Sequence, residues 1–244
     1  GRARARASLG QWSQTEAAAS HATAIWDRAF PAEPAPAALA LIAWSQAAHA
    51  LGRHADASAL LQRATNALRA HAPASAAMAE ALDRAGWHAL PSDPGAAQTS
   101  FRAAAAIESA LPLPHAPLAQ ARRAAALTAA RGEFDPARKS WRAFLDSAQR
   151  SLPATHPWIA HAQASLGEIE IALGDARAAT SHLSAALGAF ETSGREDLER
   201  ARLSRLLAQS LSAQGRSQEA IGWLRRALAL LQKLNVTRGP LWDP

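Results

Sequence analysis

The stretch ASLGEIEIALGDARAATSHLSAALGAF, residues 164–190, sets Gly167, Gly174, Ala179, Leu183 and Ala186 in a run of good helix formers. Glycine takes a positive φ without a steric penalty, so Gly174 marks the end of one helix and a tight turn into the next. Small residues at Gly167 and Ala179 let the two backbones approach, and the bulky Leu183 between them fills the gap. The stretch therefore reads as a helix–turn–helix hairpin.

The same spacing recurs along the chain. Turn glycines stand at Gly10, Gly52, Gly132, Gly174 and Gly215, with one place, near LPSDPGAA at residue 92, turned by other means. Five residues after each turn come Thr15, Ala57, Ala97, Ala137, Ala179 and Ala220. Nine after come Ala19, Leu61, Phe101, Trp141, Leu183 and Leu224, and twelve after come Ala22, Ala64, Ala104, Phe144, Ala186 and Ala227. Seven before lie Ser45, Ala85, Ala125, Gly167 and Ala208, all small. One hairpin cannot cover its own apolar face, so the hairpins must stack. Asp93–Pro94, Asp135–Pro136 and Ser217 are placed to start second helices.

Composition agrees. Of the 244 residues 49% are hydrophobic, but there is no tyrosine and only five phenylalanines, and branched residues are scarce, which disfavours sheet. The expected fold is all-α, a right-handed α-solenoid of antiparallel hairpins. The net charge of +6 is carried almost wholly by arginines spread along the chain, apart from RARARA at the start. No cysteine is present, so disulfides and thiolate metal sites are excluded. No apolar run approaches the roughly 20 residues of a membrane span. The compartment is undetermined, with the cytoplasm slightly favoured over an extracytoplasmic location.

The small residue, turn glycine, alanine, bulky residue and alanine resemble the tetratricopeptide repeat, carried by Leu166, Gly167, Gly174, Ala179, Leu183 and Ala186 and again by Leu207, Ala208, Gly215, Ala220, Leu224 and Ala227. The period of about 40 is similar to the long repeat of kinesin light chains, as are the connectors HAPASAAMA, HAPLAQARR and HPWIAHAQA. The family's first-helix aromatic is replaced by Ala48, Thr128 and Leu211, and no paired asparagines are present on first helices, so that family's cargo grip does not carry over. The expected organisation is a partial repeat at 1–36, then repeats at 37–74, 75–113, 114–155, 156–197 and 198–244. FPAEPAPAA reads as an inter-repeat loop or a hinge, and NVTRGPLWDP leaves the helical pattern. The start at Gly1 suggests a piece of a longer, bacterial protein.

Nine histidines invite a search for metal or catalytic sites, but His71, His115 and His156 recur because the connector recurs, and no HExxH is present. Glu168 and Glu170 are two apart on one helix and diverge, so acid–base chemistry has no support. No nucleophile elbow or phosphate-binding glycine loop is present. The chain is expected to be no enzyme and to hold no cofactor or metal. Trp44, Trp87, Trp141 and Trp223 fall on packing columns, whereas Trp12, Trp158 and Trp242 lie near turns or the tail, where a partner could meet them.

In a tetratricopeptide array the first helices line a concave surface, which implies that Gln46, His49, Arg122, His161, Glu168, Arg202, Arg205 and Gln209 face it. Such a surface suits a peptide or protein segment, acidic given the arginines, and no nucleic acid. The expected function is an interaction scaffold. The alternatives are a ligand- or peptide-sensing array on a bacterial kinase or transcriptional regulator, and a spacer or oligomerisation platform.

Overall fold

A computed structural model describes Ala3 and residues 12–29, 34–192 and 198–234. Among these residues the chain forms eleven helices and no strand: α1 (Trp12–Ala29), α2 (Pro34–Ala50), α3 (His54–His71), α4 (Ala76–Ala89), α5 (Pro94–Ser109), α6 (Ala116–Ala130), α7 (Phe134–Ser151), α8 (Pro157–Ala172), α9 (Ala176–Thr192), α10 (Leu198–Ala213) and α11 (Ser217–Lys233). They fall in two compact units, Gly1–Arg123 and Ala124–Pro244. In the first, α1 packs on α2, α2 on α3, α3 on α4 and α4 on α5; in the second, α7 packs on α8 and each later helix on the next. The expected all-α architecture of solenoid-type hairpins is the observed one. Gly10 and the segments 1–11, 30–33 and 235–244 include sequence features that lie outside the described residues.

The turns form as the glycines require. Gly52, Gly132, Gly174 and Gly215 have φ of 82°, 77°, 80° and 75°. Beyond each, the next N–H reaches back to the closing helix: Arg53 N to Ala48 O at 2.8 Å, Asp175 N to Glu170 O at 2.8 Å and Arg216 N to Leu211 O at 2.9 Å. This six-to-one closure satisfies carbonyls that a helix end leaves unpaired.

Three helix starts differ from expectation. Asp93 does cap α5, accepting from Ala96 N at 2.9 Å with Pro94 in the first turn. The second helix at Asp135 instead begins at Phe134 after Glu133, and α11 begins at Ser217 after Arg216, neither with a side-chain cap. A helix resumes directly after a glycine turn, so Asp135 falls inside the first turn, where it pairs with Arg138, and Pro136 still loses no hydrogen bond. Likewise FPAEPAPAA is not wholly a loop, because α2 starts at Pro34 and its first turn tolerates Pro36. The connectors do contribute caps: Ser75 Oγ accepts from Met78 N at 3.2 Å and His156 Nδ1 from Trp158 N at 3.2 Å.

Packing follows the columns read from sequence. Ala57, Ala97, Ala137 and Ala179 are fully buried, and the bulky column Leu61, Phe101, Trp141 and Leu183 is at most 3% exposed. Ala38, Leu41, Ile42, Leu61, Leu68 and Met78 form the first unit's core cluster; Leu183, Leu187, Phe190, Leu203, Leu207 and Leu211 anchor the second's. In the second hairpin the close approach is made by Gly86 under Phe101, while Ala85 is only partly buried. The turn there runs through Leu90, Pro91 and Ser92 with no positive-φ glycine, so counting back from an assumed glycine position misplaces the small residue by one.

Candidate functional site

The first helix of each hairpin carries the predicted surface residues, and the structure joins these helices to one another by polar side chains. In the first unit the Gln46 amide oxygen of α2, in the orientation its neighbours require, accepts from the Arg84 guanidinium of α4. His49 of α2 stacks on His88 of α4, with ring centroids 4.1 Å apart and planes 10° from parallel. The same ring meets His54 edge-on at 4.7 Å, with the two Nδ1 atoms 3.2 Å apart. Burial, with the nearby His49, Arg84 and His54, pushes His88 down to about 3, and its Nδ1 is buried without a hydrogen-bond partner. The stack is therefore built on a neutral imidazole.

Arg122 reaches back from α6 to Asp83 of α4 at 3.3 Å and lies 4.4 Å over the Trp87 ring. Burial pushes its guanidinium down to about 10, offset in part by Asp83, which leaves it a cation at neutral pH. Its neighbour Arg123 is buried; it binds Asp83 at 2.6 Å and both oxygens of Glu108 at 2.7 Å. The planar guanidinium matches both carboxylates, which is what allows two acids and two bases to share a nearly dry space.

In the second unit the bridge runs from α8 to α10. Arg202 meets Glu168 at 2.7 and 2.9 Å and Glu199 at 2.7 and 2.9 Å. Burial opposes the charge, yet Glu199 and then Glu168 hold Arg202 well above the usual arginine value. Three and seven residues on, Arg205 and Gln209 lie on the same face of α10 and are exposed. His161, one α8 turn from Ser165, packs edge-on to Trp141 of α7 at 5.3 Å. Glu170 points the other way, as its spacing from Glu168 requires: it is fully buried, 2.8 Å from Arg142 and 3.5 Å from Arg138 of α7. The two carboxylates serve different bridges and share no reacting position.

The structure thus brings Gln46, His49 and Arg122 into contacts with α4, sets Glu168 against Arg202, leaves Arg205 and Gln209 exposed beside that pair, and turns His161 toward α7. Sequence reasoning missed Asp83, Arg84, Glu108 and Glu199. A signal was present: Asp83 lies 39 and 40 residues from Arg122 and Arg123, one repeat period away, so opposite charges recur at equivalent places on successive first helices. Apart from this face, the second unit has a recess of about 370 Å³ lined by Glu191, Arg200, Ser204, Trp223, Arg226 and Lys233, with Arg226 4.5 Å over the Trp223 ring. Among the described residues no group of three histidines or acids is placed to hold a metal, and no helix is long and apolar enough to cross a membrane.

Residues 158–233 match the family model of the tetratricopeptide repeat. The structure is similar to that of a Rap protein complexed with competence and sporulation factor, at a TM-score of 0.66 and 14% identity, with 82% of this chain and 55% of that one covered. The chain therefore spans about half the length of that protein. It is also similar to BtubC (BKLC) from P. vanneervenii, at a TM-score of 0.55 and 15% identity over 96% of this chain and 94% of that one, and to apo RapI, at 0.52 and 15% over 81% and 71%. Such likenesses establish the fold. No curated protein matches the sequence. The match at 158–233 covers the two hairpins whose columns carry the tetratricopeptide pattern most fully, and over that stretch the repeat type read from the sequence is the one the family model matches.

Proposed function

We propose that this chain is a non-catalytic interaction scaffold that docks an extended, acidic peptide or protein segment along the polar faces of its first helices. Arrays of this repeat type serve as interaction scaffolds, and the similar Rap protein is complexed with competence and sporulation factor. The observation that carries the reading is the Arg202–Glu168 pair. By tying α10 to α8 it fixes a continuous polar face with Arg205 and Gln209 free of burial beside it. Arg205 supplies the carboxylate-binding cation and Gln209 an amide for the ligand backbone, while Glu168 and Arg202 brace the surface. Gln46, His49 and Arg122 are the corresponding braces of the first unit, and His161 contributes from α8. Because the braces are already paired, little side-chain entropy is lost on binding.

A regulatory array in a bacterial signalling protein is the second reading; its support is the likeness to two Rap structures. The scaffold is tested with an array of acidic ten-residue peptides and Arg205→Glu. The expected result is peptide binding that falls at least tenfold in the variant with no change in melting temperature. Equal binding by both proteins, or none by either, contradicts the proposed face.

A further inference from the structure

Helices α10 and α11 repeat α8 and α9 in register, Gly215 answering to Gly174, so each position has a counterpart in the hairpin before. The counterparts of Arg200, Arg226 and Leu230 are Ile159, Ala185 and Ala189, and those of Ser204 and Trp223 are Gln163 and His182. In the earlier hairpin Ile159 is buried, and His182 Nδ1 lies 2.6 Å from Gln163 Oε1 across the two helices. In the later one, arginines stand where an isoleucine and an alanine serve the repeat, and a recess of about 370 Å³ lies among them. Stacking of hairpins does not require these cations.

Trp223, Arg226, Leu230 and Lys233 recur at three and four residues, so they share one face of α11. Arg200 and Ser204 of α10 and Glu191 of α9 complete the lining. The Arg226 guanidinium lies 4.5 Å over the Trp223 ring, a contact that orients the planar fork without using its N–H groups. Arg200 pairs with Glu191 at 3.3 Å. Ser204 donates its hydroxyl proton to the Arg200 carbonyl at 2.8 Å and has none left for a ligand. The cations Arg200, Arg226 and Lys233 stand against the single carboxylate of Glu191, a positive excess of two. The volume falls within the range of about 300–1,000 Å³ that small-molecule sites occupy.

We propose that this recess binds a small organic phosphate. Arg226 grips the phosphoryl oxygens through its fork, Arg200 and Lys233 supply further positive field, and a compact apolar body rests on Leu230 and the edge of Trp223. A phosphate monoester carries about −1.5 to −2 at neutral pH, which matches the excess charge, and presents three acceptor oxygens to the donors. A monocarboxylate matches neither. Arg205 and Gln209 do not line the recess, so this ligand and an extended peptide occupy separate sites.

The test titrates the full chain with phenyl phosphate, inorganic phosphate and benzoate at constant ionic strength, read on amide and indole N–H shifts. The Trp223 indole signal is identified by its loss in Trp223→Phe. Phenyl phosphate is expected to shift that signal and the α11 amides to saturation, at least fivefold more tightly than inorganic phosphate and tenfold more tightly than benzoate. Arg226→Gln should weaken it at least tenfold with no change in melting temperature, since Arg226 is exposed, and Arg226→Lys should recover part of the loss. Arg225→Gln, which removes an exposed charge next in sequence, and Arg205→Glu on the peptide face should each change it less than twofold. Absence of a saturable shift overturns the proposal. So does benzoate binding as tightly as phenyl phosphate, or an Arg225→Gln loss equal to that of Arg226→Gln, because the surface then attracts anions without a site.

Discussion

Leu183 of α9 lies against the bare Cα of Gly167 on α8: a Cβ added to Gly167 would stand 2.6 Å from Leu183 Cγ and 2.7 Å from its Cδ2. Leu183 is fully buried and has nowhere to retreat. Gly167→Ala gains about 1 kcal/mol of helix propensity but overpacks the site at a cost of about 1–3 kcal/mol. Urea unfolding should show a net loss near 1 kcal/mol. In a Leu183→Ala background the same change should stabilise, because the methyl then fills part of a cavity. A loss of equal size in both backgrounds would remove the close-approach explanation.

Glu170 tests whether the inner bridges are structural. Its carboxylate is fully buried while Arg142 is 55% exposed, so the acid depends on its partners far more than they depend on it. Arg138→Ala/Arg142→Ala should cost about 3–5 kcal/mol by leaving a buried charge uncompensated. Adding Glu170→Leu should recover most of that loss. Chemical denaturation of the three proteins decides, and a triple variant no better than the double contradicts the assignment.

His88 predicts an acid-labile first unit. Its folded value of about 3 lies below the unfolded 6.5, so between these values the unfolded chain binds the extra proton. Stability from this group is full above pH 6.5 and falls as pH drops toward 3, by up to about 1.4 kcal/mol per pH unit. His88→Leu should flatten the dependence of melting temperature on pH between 4 and 6. A variant whose slope matches the parent shows that other groups govern acid unfolding.

Much of the fold was legible because a glycine turn and a small residue beneath a bulky one are backbone requirements, and these leave a periodic trace. Where the trace breaks, the reading slipped: without a turn glycine near residue 92, Gly86 was missed in favour of Ala85. Capping was over-read at Asp135 and Ser217, since the capping position falls on the residue directly after the turn glycine, which is Glu133 and Arg216 there; among the described turns, only after Gly174 does that residue, Asp175, cap with its side chain, accepting from Ala178 N at 2.9 Å. The site was harder. First-helix positions of Arg122, Glu168 and Arg202 followed from the period, but their engagement did not, because a side chain's partner lies one repeat away. Arg123 and Glu170 were unexpected in the interior, as charge alone argues for the surface; Asp83 and Glu108 make burial tolerable for the first, and Arg138 and Arg142 for the second.

The scaffold reading is tested most directly by an amide chemical-shift titration of the whole chain with the tightest acidic peptide from the array. The predicted perturbations fall on α8 and α10 around Glu168, Arg202, Arg205 and Gln209, and vanish with Arg205→Glu. Perturbations confined to the recess at Trp223 or to the second helices α9 and α11 would contradict it.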